Sequence, residues 1–507
     1  MIVNGRAVVC ETEDRERDRD IVLGEYASTV VGFKCVLPLE ESMSIVPAIR
    51  VADSIVIRRN IQVGPFFPVS ELYSKAYAII NKRLVTLQNG VLCVTRKPCW
   101  IKRTSREIKF LFEIWKKNYL GGRKAIAGRL FYHFYHPFKR RKIWILSDRL
   151  SDAGDNGEAF FDFLSHKKPK KTKVYYVIKK DSKDYSRLSN IGACIDILSF
   201  KHKLLHLVSD VVLSSQADIM RNPFGGHDEA LRDLLQHQKF VFLQHGVTKD
   251  DISDWINRYH QNIDGFVTVA KREAQSITEG RYGYSADQVW LTGFPRFDYL
   301  YEDNRKWITV MPTWRYYLVE NPEDGFGPTK LVDDYENTEF FKFYNTLLNA
   351  DGLLSKLEEK GYTLAFFAHP RFRPFTKRFS QDSRVLFLPA ETSYREIYAH
   401  SSLVITDYSS AAFDFSYLRK PVIYAQFDKD VFFSGSHSYV KGYFSYERDG
   451  FGEVTHDLEE TIALILKYVE EECVLEPKYR TRIDEFFEYN DAYNSQRLLD
   501  KVTTFFD

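Results

Sequence analysis

Short apolar runs, each closed by polar residues or glycine, recur along this chain, and their spacing changes twice. From Val8 to about Thr95 they follow one another closely, as in YASTVVGFKCVL, IRVADSIVIRRNIQV and YAIINKRLVTLQNGVLCVTR. The last holds Asn89-Gly90 between two apolar halves, and because both residues tolerate positive φ the pair predicts a tight hairpin. Residues 1–100 read as a small all-β accessory domain, with the charged run ETEDRERDRD as a solvated loop. Residues 101–142 differ: 13 Lys and Arg face two acids, Glu107 and Glu113, with Phe110, Phe112, Trp115, Phe131, Phe134 and Phe138 among them. Two readings fit this linker. It lies in a bilayer interface, its cations drawn to anionic lipid at about 1 kcal/mol each, or it is a helix packed on its neighbours with a solvated basic face.

Beyond Lys142 strand-like and helix-like runs alternate: KIWILSD, GEAFFDFLSHK, KVYYVIKK, HKLLHLVSDVVLSSQ, KFVFLQHG and GFVTVAK. A second set follows, from KWITVMPTWR through a helix around FKFYNTLLNADGLLSKLEEKG to YTLAFFAHPR, SRVLFLPA, LVITDYSSAAFDFSYLRK and PVIYAQF. The alternation predicts an α/β fold of two domains in series, residues 143–300 and 301–507, each a parallel sheet wrapped by helices. In such folds ligands bind at the carboxyl ends of the strands.

Chain length allows for roughly three domains, and 44% hydrophobic with 28% charged residues is an ordinary globular balance. A net charge of +2 does not point to nucleic acid. Six scattered cysteines give neither a zinc site nor a disulfide framework and suit a reducing compartment. The first residues lack a signal-peptide core, and no run reaches the 18 or so apolar residues of a membrane span, so the expected location is the cytoplasm.

The candidate chemistry sits at predicted strand ends. His245 follows KFVFLQ, with Gly246 permitting a close backbone approach. A histidine there can act as a general base or merely cap the next turn, and Asp250, Asp251 or Asp254 could orient it. His369 repeats the placement in FFAHPR, where Arg371 and Arg373 could hold a phosphate. In LVITDYSSAAFDFSYLRK, Thr406 and Asp407 end a strand, and Ser409 and Ser410 stand at a helix start able to bind an anion or simply cap it. Asp414, one turn on, could accept from a ribose hydroxyl. Arg315 in MPTWR offers a further phosphate contact, and Arg296 with Asp298 in TGFPRFDYL suggests a hinge.

Taken together, FLQHGVTKDD, GFPRFDYL, MPTWR, FFAHPR, TDYSSAAFDFSYLRKP and GYFSYERDGFG resemble the CDP-glycerol glycerophosphotransferase family, builders of teichoic acids and related capsules, over about Ile143 to Asp507. The resemblance implies a GT-B fold with the donor nucleotide on the carboxyl-terminal domain. It implies transfer of glycerol phosphate from CDP-glycerol to a hydroxyl of a lipid-linked or polymeric acceptor, with release of CMP. His245 then falls where the family has its base. His369, Arg315, Thr406, Ser409 and Ser410 fall where it holds the donor pyrophosphate, and Asp407 and Asp414 near the nucleotide. No cofactor or metal is implied; helix start, His and Arg take the neutralising role. A lipid-linked acceptor implies a protein peripheral on the inner face of the membrane, with an anionic lipid surface as partner. The loop departs from the commoner His-Gly-Thr-Pro-Leu-Lys at Val247-Thr248-Lys249, which leaves the role of Lys249 open. Transfer of ribitol phosphate from CDP-ribitol, a GT-B glycosyltransferase using a nucleotide sugar, and a non-catalytic polymer-binding scaffold are the alternatives. Oligomeric state is not read from the sequence.

Overall fold

A computed structural model describes residues 66–217, 223–224, 229–320, 330–369, 371–433 and 440–505, preceded by 2–4, 6–8, 11–14, 20–22, 25–28, 31–34, 40–46, 48–51 and 54–57. The chain divides into two compact units, residues 1–146 with 168–212 and 218–240, and residues 147–167 with 213–217 and 241–507.

The first unit begins with an antiparallel sheet. Arg83–Gln88 and Val91–Arg96 form the predicted hairpin, with φ of 50° at Asn89 and 76° at Gly90. Ser42–Val46 pairs with its second strand. The run ETEDRERDRD departs from the loop expected of it: Glu11–Asp14 is a strand antiparallel to Val31–Lys34, and residues 15–19 lie outside those described. Ladder pairing here outweighs the weak strand preference of acidic residues.

Two helices follow, α1 (Trp100–Lys117) and α2 (Arg123–Tyr135). Phe110 and Ile114 of α1 join Tyr73, Tyr77, Leu84, Leu231 and Leu234 in one core. The same buried face carries Glu107 and Glu113. Glu107 receives a two-pronged bond from Arg129 of α2, at 2.7 and 2.8 Å, and a hydrogen bond from the Tyr77 hydroxyl at 2.8 Å. Arg129 also donates to Asp233 at 2.6 and 2.9 Å and is fully buried, so one of the linker's cations is an internal strut. With its acids turned inward, α1 leaves Ile101, Ile108, Phe112 and Trp115 exposed. Phe134 and Phe138, each 76% exposed, are open in the segment beyond.

The first parallel sheet has seven strands: β1 (Lys142–Ser147), β2 (Thr172–Ile178), β3 (Cys194–Asp196), β4 (Val211–Ser214), β5 (Lys239–Phe242), β6 (Gly265–Thr268) and β7 (Val289–Leu291). Their order is β3-β2-β1-β4-β5-β6-β7. The second has β8 (Trp307–Val310), β9 (Thr363–Phe366), β10 (Val385–Phe387), β11 (Ser401–Thr406), β12 (Val422–Ala425) and β13 (Gly452–Thr455), ordered β10-β9-β8-β11-β12-β13. Both are doubly wound Rossmann orders, and strands such as VVLS, VIYA and SSLVIT are buried along their whole length, which is why they read as continuous apolar runs. The stretch expected as one helix around FKFYNTLLNADGLLSKLEEKG is two, Glu339–Leu348 and Asp351–Glu359, broken at Asn349 and Ala350.

The carboxyl ends of β1, β4 and β5, with β6 and β7, belong to the second unit. There α3 (Asn156–Lys167) starts against β1, because the Asp148 carboxylate accepts from the backbone N–H of Asp155, Gly157 and Glu158 at 2.7 to 3.1 Å. After β6 comes α4 (Lys271–Glu279), and after β11 comes α5 (Ala411–Tyr417). The last helix, α6 (Asn494–Thr504), is capped by Asp298, whose oxygens accept from Asn494 N–H at 3.0 Å and Ser495 N–H at 2.7 Å. Asp298, expected to be a hinge residue, is therefore the cap of the final helix.

Candidate active site

His245 lies one residue beyond a backbone elbow. Gln244 has φ of 60°, in the left-handed region, and its carbonyl accepts from the Asn156 amide at 2.9 Å. The elbow turns His245 so that Nδ1–H donates to the Ser215 carbonyl at 3.2 Å. Ser215 is fixed by its hydroxyl, which donates to Asp148 at 2.6 Å. This contact decides the tautomer: with Nδ1 protonated, the lone pair is on Nε2. The ring edge is open to solvent, but crowding by protein atoms holds its pKa below the usual histidine value. The Asp155 charge opposes that shift, while Arg149 and Arg296 reinforce it. None of the acids expected to orient the ring fills that place, which Ser215 takes; Asp250 pairs with Lys249 and Asp251 with Arg281. Lys249 is itself buried, 5.4 Å above the Tyr446 ring.

Gly246 meets the second sheet's loops. A Cβ placed on it would fall inside the contact radius of Ser410 Oγ and 3.1 Å from Ser410 Cβ, so the histidine's loop rests against the start of α5. Ser409 Oγ accepts from Ala411 N–H at 3.1 Å, whereas the Ser410 hydroxyl makes no capping bond. With only seven residues, α5 has a weak dipole, so hydroxyls rather than the helix end are what this corner offers a ligand.

His369, after β9, has the opposite polarity. Its Nδ1 accepts from the backbone N–H of Arg371 at 3.3 Å, which leaves the proton of the neutral ring on Nε2. Burial, reinforced by Arg371, Arg373 and Arg149, lowers its pKa to about 4, so the ring is a neutral donor at pH 7. The Arg371 guanidinium stacks 4.4 Å over Trp314, occupying its face and not its edge of N–H donors.

Four expected donor contacts have other partners. Arg315 is fully buried, bound to both oxygens of Asp428 at 2.7 and 3.0 Å and to Asp407 at 2.9 Å. Asp407 also accepts from Thr313 N–H at 2.9 Å and the Tyr344 hydroxyl at 3.1 Å, and Thr406 donates to the Met311 carbonyl at 2.7 Å. These three form a platform beneath the loop that carries Ser409 and Ser410. Asp414 is gripped by Arg296 at 2.6 and 2.8 Å, so both of its oxygens are committed to an internal ion pair. Arg296 also donates to Asp155 at 2.9 Å, making a buried triple between the two sheets' loops.

Sequence reading missed Arg149, Asp155, Asn156 and Ser215. The first three follow a strand end in SDRLSDAGDN, where no histidine marks the position. Among the described residues, no three His, Cys, Asp or Glu side chains converge as a metal site would require.

Two doubly wound sheets, with the loop of a base-competent histidine seated against a hydroxyl-bearing loop of the other, define a protein of the GT-B class. The solved structure of the wall teichoic acid polymerase TagF is similar in fold, with a TM-score of 0.55 at 14% identity over 80% of this chain and 98% of that one. The chain belongs to the CDP-glycerol:poly(glycerophosphate) glycerophosphotransferase family, whose profile matches residues 129–504. It is 34% identical over 455 residues to the minor teichoic acid biosynthesis protein GgaB of Bacillus subtilis, covering 88% of this chain and 50% of that protein. It is 22% identical to the teichoic acid poly(ribitol-phosphate) polymerase of Bacillus spizizenii over 72% of this chain and 56% of that one. The chain thus spans about half the length of these curated relatives.

Proposed function

We propose that this chain transfers glycerol phosphate from CDP-glycerol to a hydroxyl of a lipid-linked or polymeric acceptor in teichoic acid synthesis, releasing CMP. Family membership supports the reaction class, and TagF has been solved after soaking with CDPG. The observation that carries the reading is the pair of histidines with opposite tautomers. His245 presents a lone pair at Nε2 and takes the proton of the acceptor hydroxyl as its oxygen attacks the β-phosphorus of the donor. His369 presents Nε2–H and donates to the phosphate oxygens on which charge accumulates as CMP departs. Ser409, Ser410 and the in-plane donors of Arg371 hold the diphosphate. Arg315, Thr406 and Asp407 support that loop from below, and Arg296 with Asp414 and Asp155 fixes the frame. Attack on a phosphorus already ringed by oxygens gains most from position and neutralised charge, which these groups supply.

The exposed face of α1 together with Phe134 of α2 and Phe138 just after it supports a further proposal, that the protein sits peripherally on an anionic membrane surface where a lipid-linked acceptor is presented. No helix among the described residues is long and apolar enough to cross a membrane. The test of the reaction is CMP release from CDP-glycerol with an oligomeric acceptor, run beside CDP-ribitol and nucleotide sugars. His245→Gln is expected to lower the rate by about 100- to 10,000-fold with the fold retained. Full turnover in that variant would remove the base from His245, and turnover with a nucleotide sugar alone would replace the donor.

A further inference from the structure

The elbow before His245 is strained, and the structure shows what holds it. Gln244 is buried with φ of 60°, a conformation that is unfavourable for a non-glycine residue and persists only where its surroundings over-determine it. Its side chain donates to the Val267 carbonyl at 2.5 Å and to Glu273 Oε1 at 3.0 Å. Glu273, on α4 and fully buried, accepts at that same oxygen from Thr248 N–H at 2.8 Å. Thr248 closes the loop, its hydroxyl donating to Gln244 Oε1 at 2.5 Å. The other carboxylate oxygen accepts from Val269 N–H at 2.8 Å and so ties the clamp to the end of β6.

We infer that Glu273 is a positioning residue for the base: one buried carboxylate grips the chain on both sides of His245 and sets the direction of its ring. The reasoning rests on the role given to His245 above. It also assigns a task to the loop where the chain leaves the commoner family pattern. Thr248 supplies two of the bonds that close the elbow, one through its N–H and one through its hydroxyl. The Glu273 carboxylate bonds to Gln244, Thr248 and Val269 and not to the His245 ring or Ser410, so its effect on catalysis passes through geometry. Misplacing a reacting group by about 1 Å can cost on the order of 100-fold.

The test uses the full chain with Glu273→Leu, which removes both acceptors at constant bulk, and Glu273→Gln, which keeps one carbonyl oxygen. Two readouts are taken: steady-state CMP release, and carbethoxylation of His245 and His369 by diethylpyrocarbonate, followed peptide by peptide by mass spectrometry. In Glu273→Leu the expectation is a fall in kcat on the order of 100-fold with KM for CDP-glycerol within about threefold of the parent. Glu273→Gln should lie between them. Labelling of His245 should rise several-fold, while His369 in the same molecules keeps its parental rate. A folded Glu273→Leu with parental kcat overturns the inference, and so does a parallel rise at both histidines, which would mean general loosening. Should Glu273→Leu not fold, Glu273→Gln decides by the same two readouts. If the parent turns over no CDP-alditol, the reaction proposal fails by itself, and selective labelling of His245 still decides whether Glu273 sets its geometry.

Discussion

Gly246→Ala tests the contact that joins the histidine's loop to the second sheet. The Gly246 backbone is not among those in the left-handed region, so an added methyl acts through contact alone. That methyl would overlap the Ser410 hydroxyl and stand 3.1 Å from Ser410 Cβ. The hydroxyl is a rotor and can swing aside, so the cost to folding is about 1 kcal/mol or less. Swinging aside, however, would take the hydroxyl from the diphosphate it is proposed to hold, and a hydrogen bond to a charged group contributes about 1.5–3 kcal/mol. At 1.36 kcal/mol per tenfold, kcat/KM for CDP-glycerol should fall by about 10- to 150-fold. The assay is steady-state CMP release by Gly246→Ala, Ser410→Ala and the double variant, with thermal unfolding as the control for folding. Both single variants should lose a similar factor, and the double variant no more than either, since the same hydroxyl is lost each time. Parental kcat/KM in Gly246→Ala, or losses that multiply in the double variant, would refute the placement of Ser410 on the donor.

The remaining predictions concern charge, burial and lipid. Because His245 and His369 have lowered pKa values, their own protonation should not reduce kcat/KM above pH 6.5, whereas burial lifts Glu273 to about 7 and its protonation can loosen the clamp; a steady-state acid limb at or above 6.5 that persists in Glu273→Gln would contradict the reading of the histidines. The sign for stability is the same: below 6.5 the unfolded histidines bind protons that the folded ones refuse, so stability drains toward about 4, the value for His369. Arg296→Met strands Asp414 as a buried carboxylate and leaves Asp155 only the longer contact with Arg149, and it should cost about 3–5 kcal/mol in denaturant unfolding, a loss that Asp414→Asn in the same chain partly restores. Serine at Phe112, Trp115, Phe134 and Phe138 together should lower flotation with anionic vesicles at least about tenfold, with CMP release on a soluble acceptor unchanged; undiminished flotation would remove the membrane face from this surface.

Both parallel sheets were legible because their strands are buried on two faces and so appear as unbroken apolar runs such as VVLS and VIYA. His245 and His369 were legible because a polar residue closing such a run must stand at a strand's end. What the sequence hid was pairing. MPTWR displays Arg315, but not that Asp428, 113 positions later, takes its guanidinium. Asp414 and Arg296, 118 positions apart, each looked like an open polar group until the fold closed them on one another. Ser215 orients His245 through its carbonyl, an atom every residue possesses, so no residue type could announce it. The strand Glu11–Asp14 was missed for the converse reason: its partner, not its own composition, makes it extended.

The ion network of α1 bears on how a membrane contact would be made. Segments that become helical only on reaching lipid lose conformational entropy in doing so, which weakens their attachment. Here Glu107, Arg129 and Asp233 lock α1 to its neighbours beforehand, with Trp115 and Phe112 already facing outward. The helix is preorganised and cannot roll or peel away without stranding buried charges. Attachment would therefore seat a preformed helix face in a fixed attitude, and its exposed aromatics would set the tilt at which that face meets the bilayer.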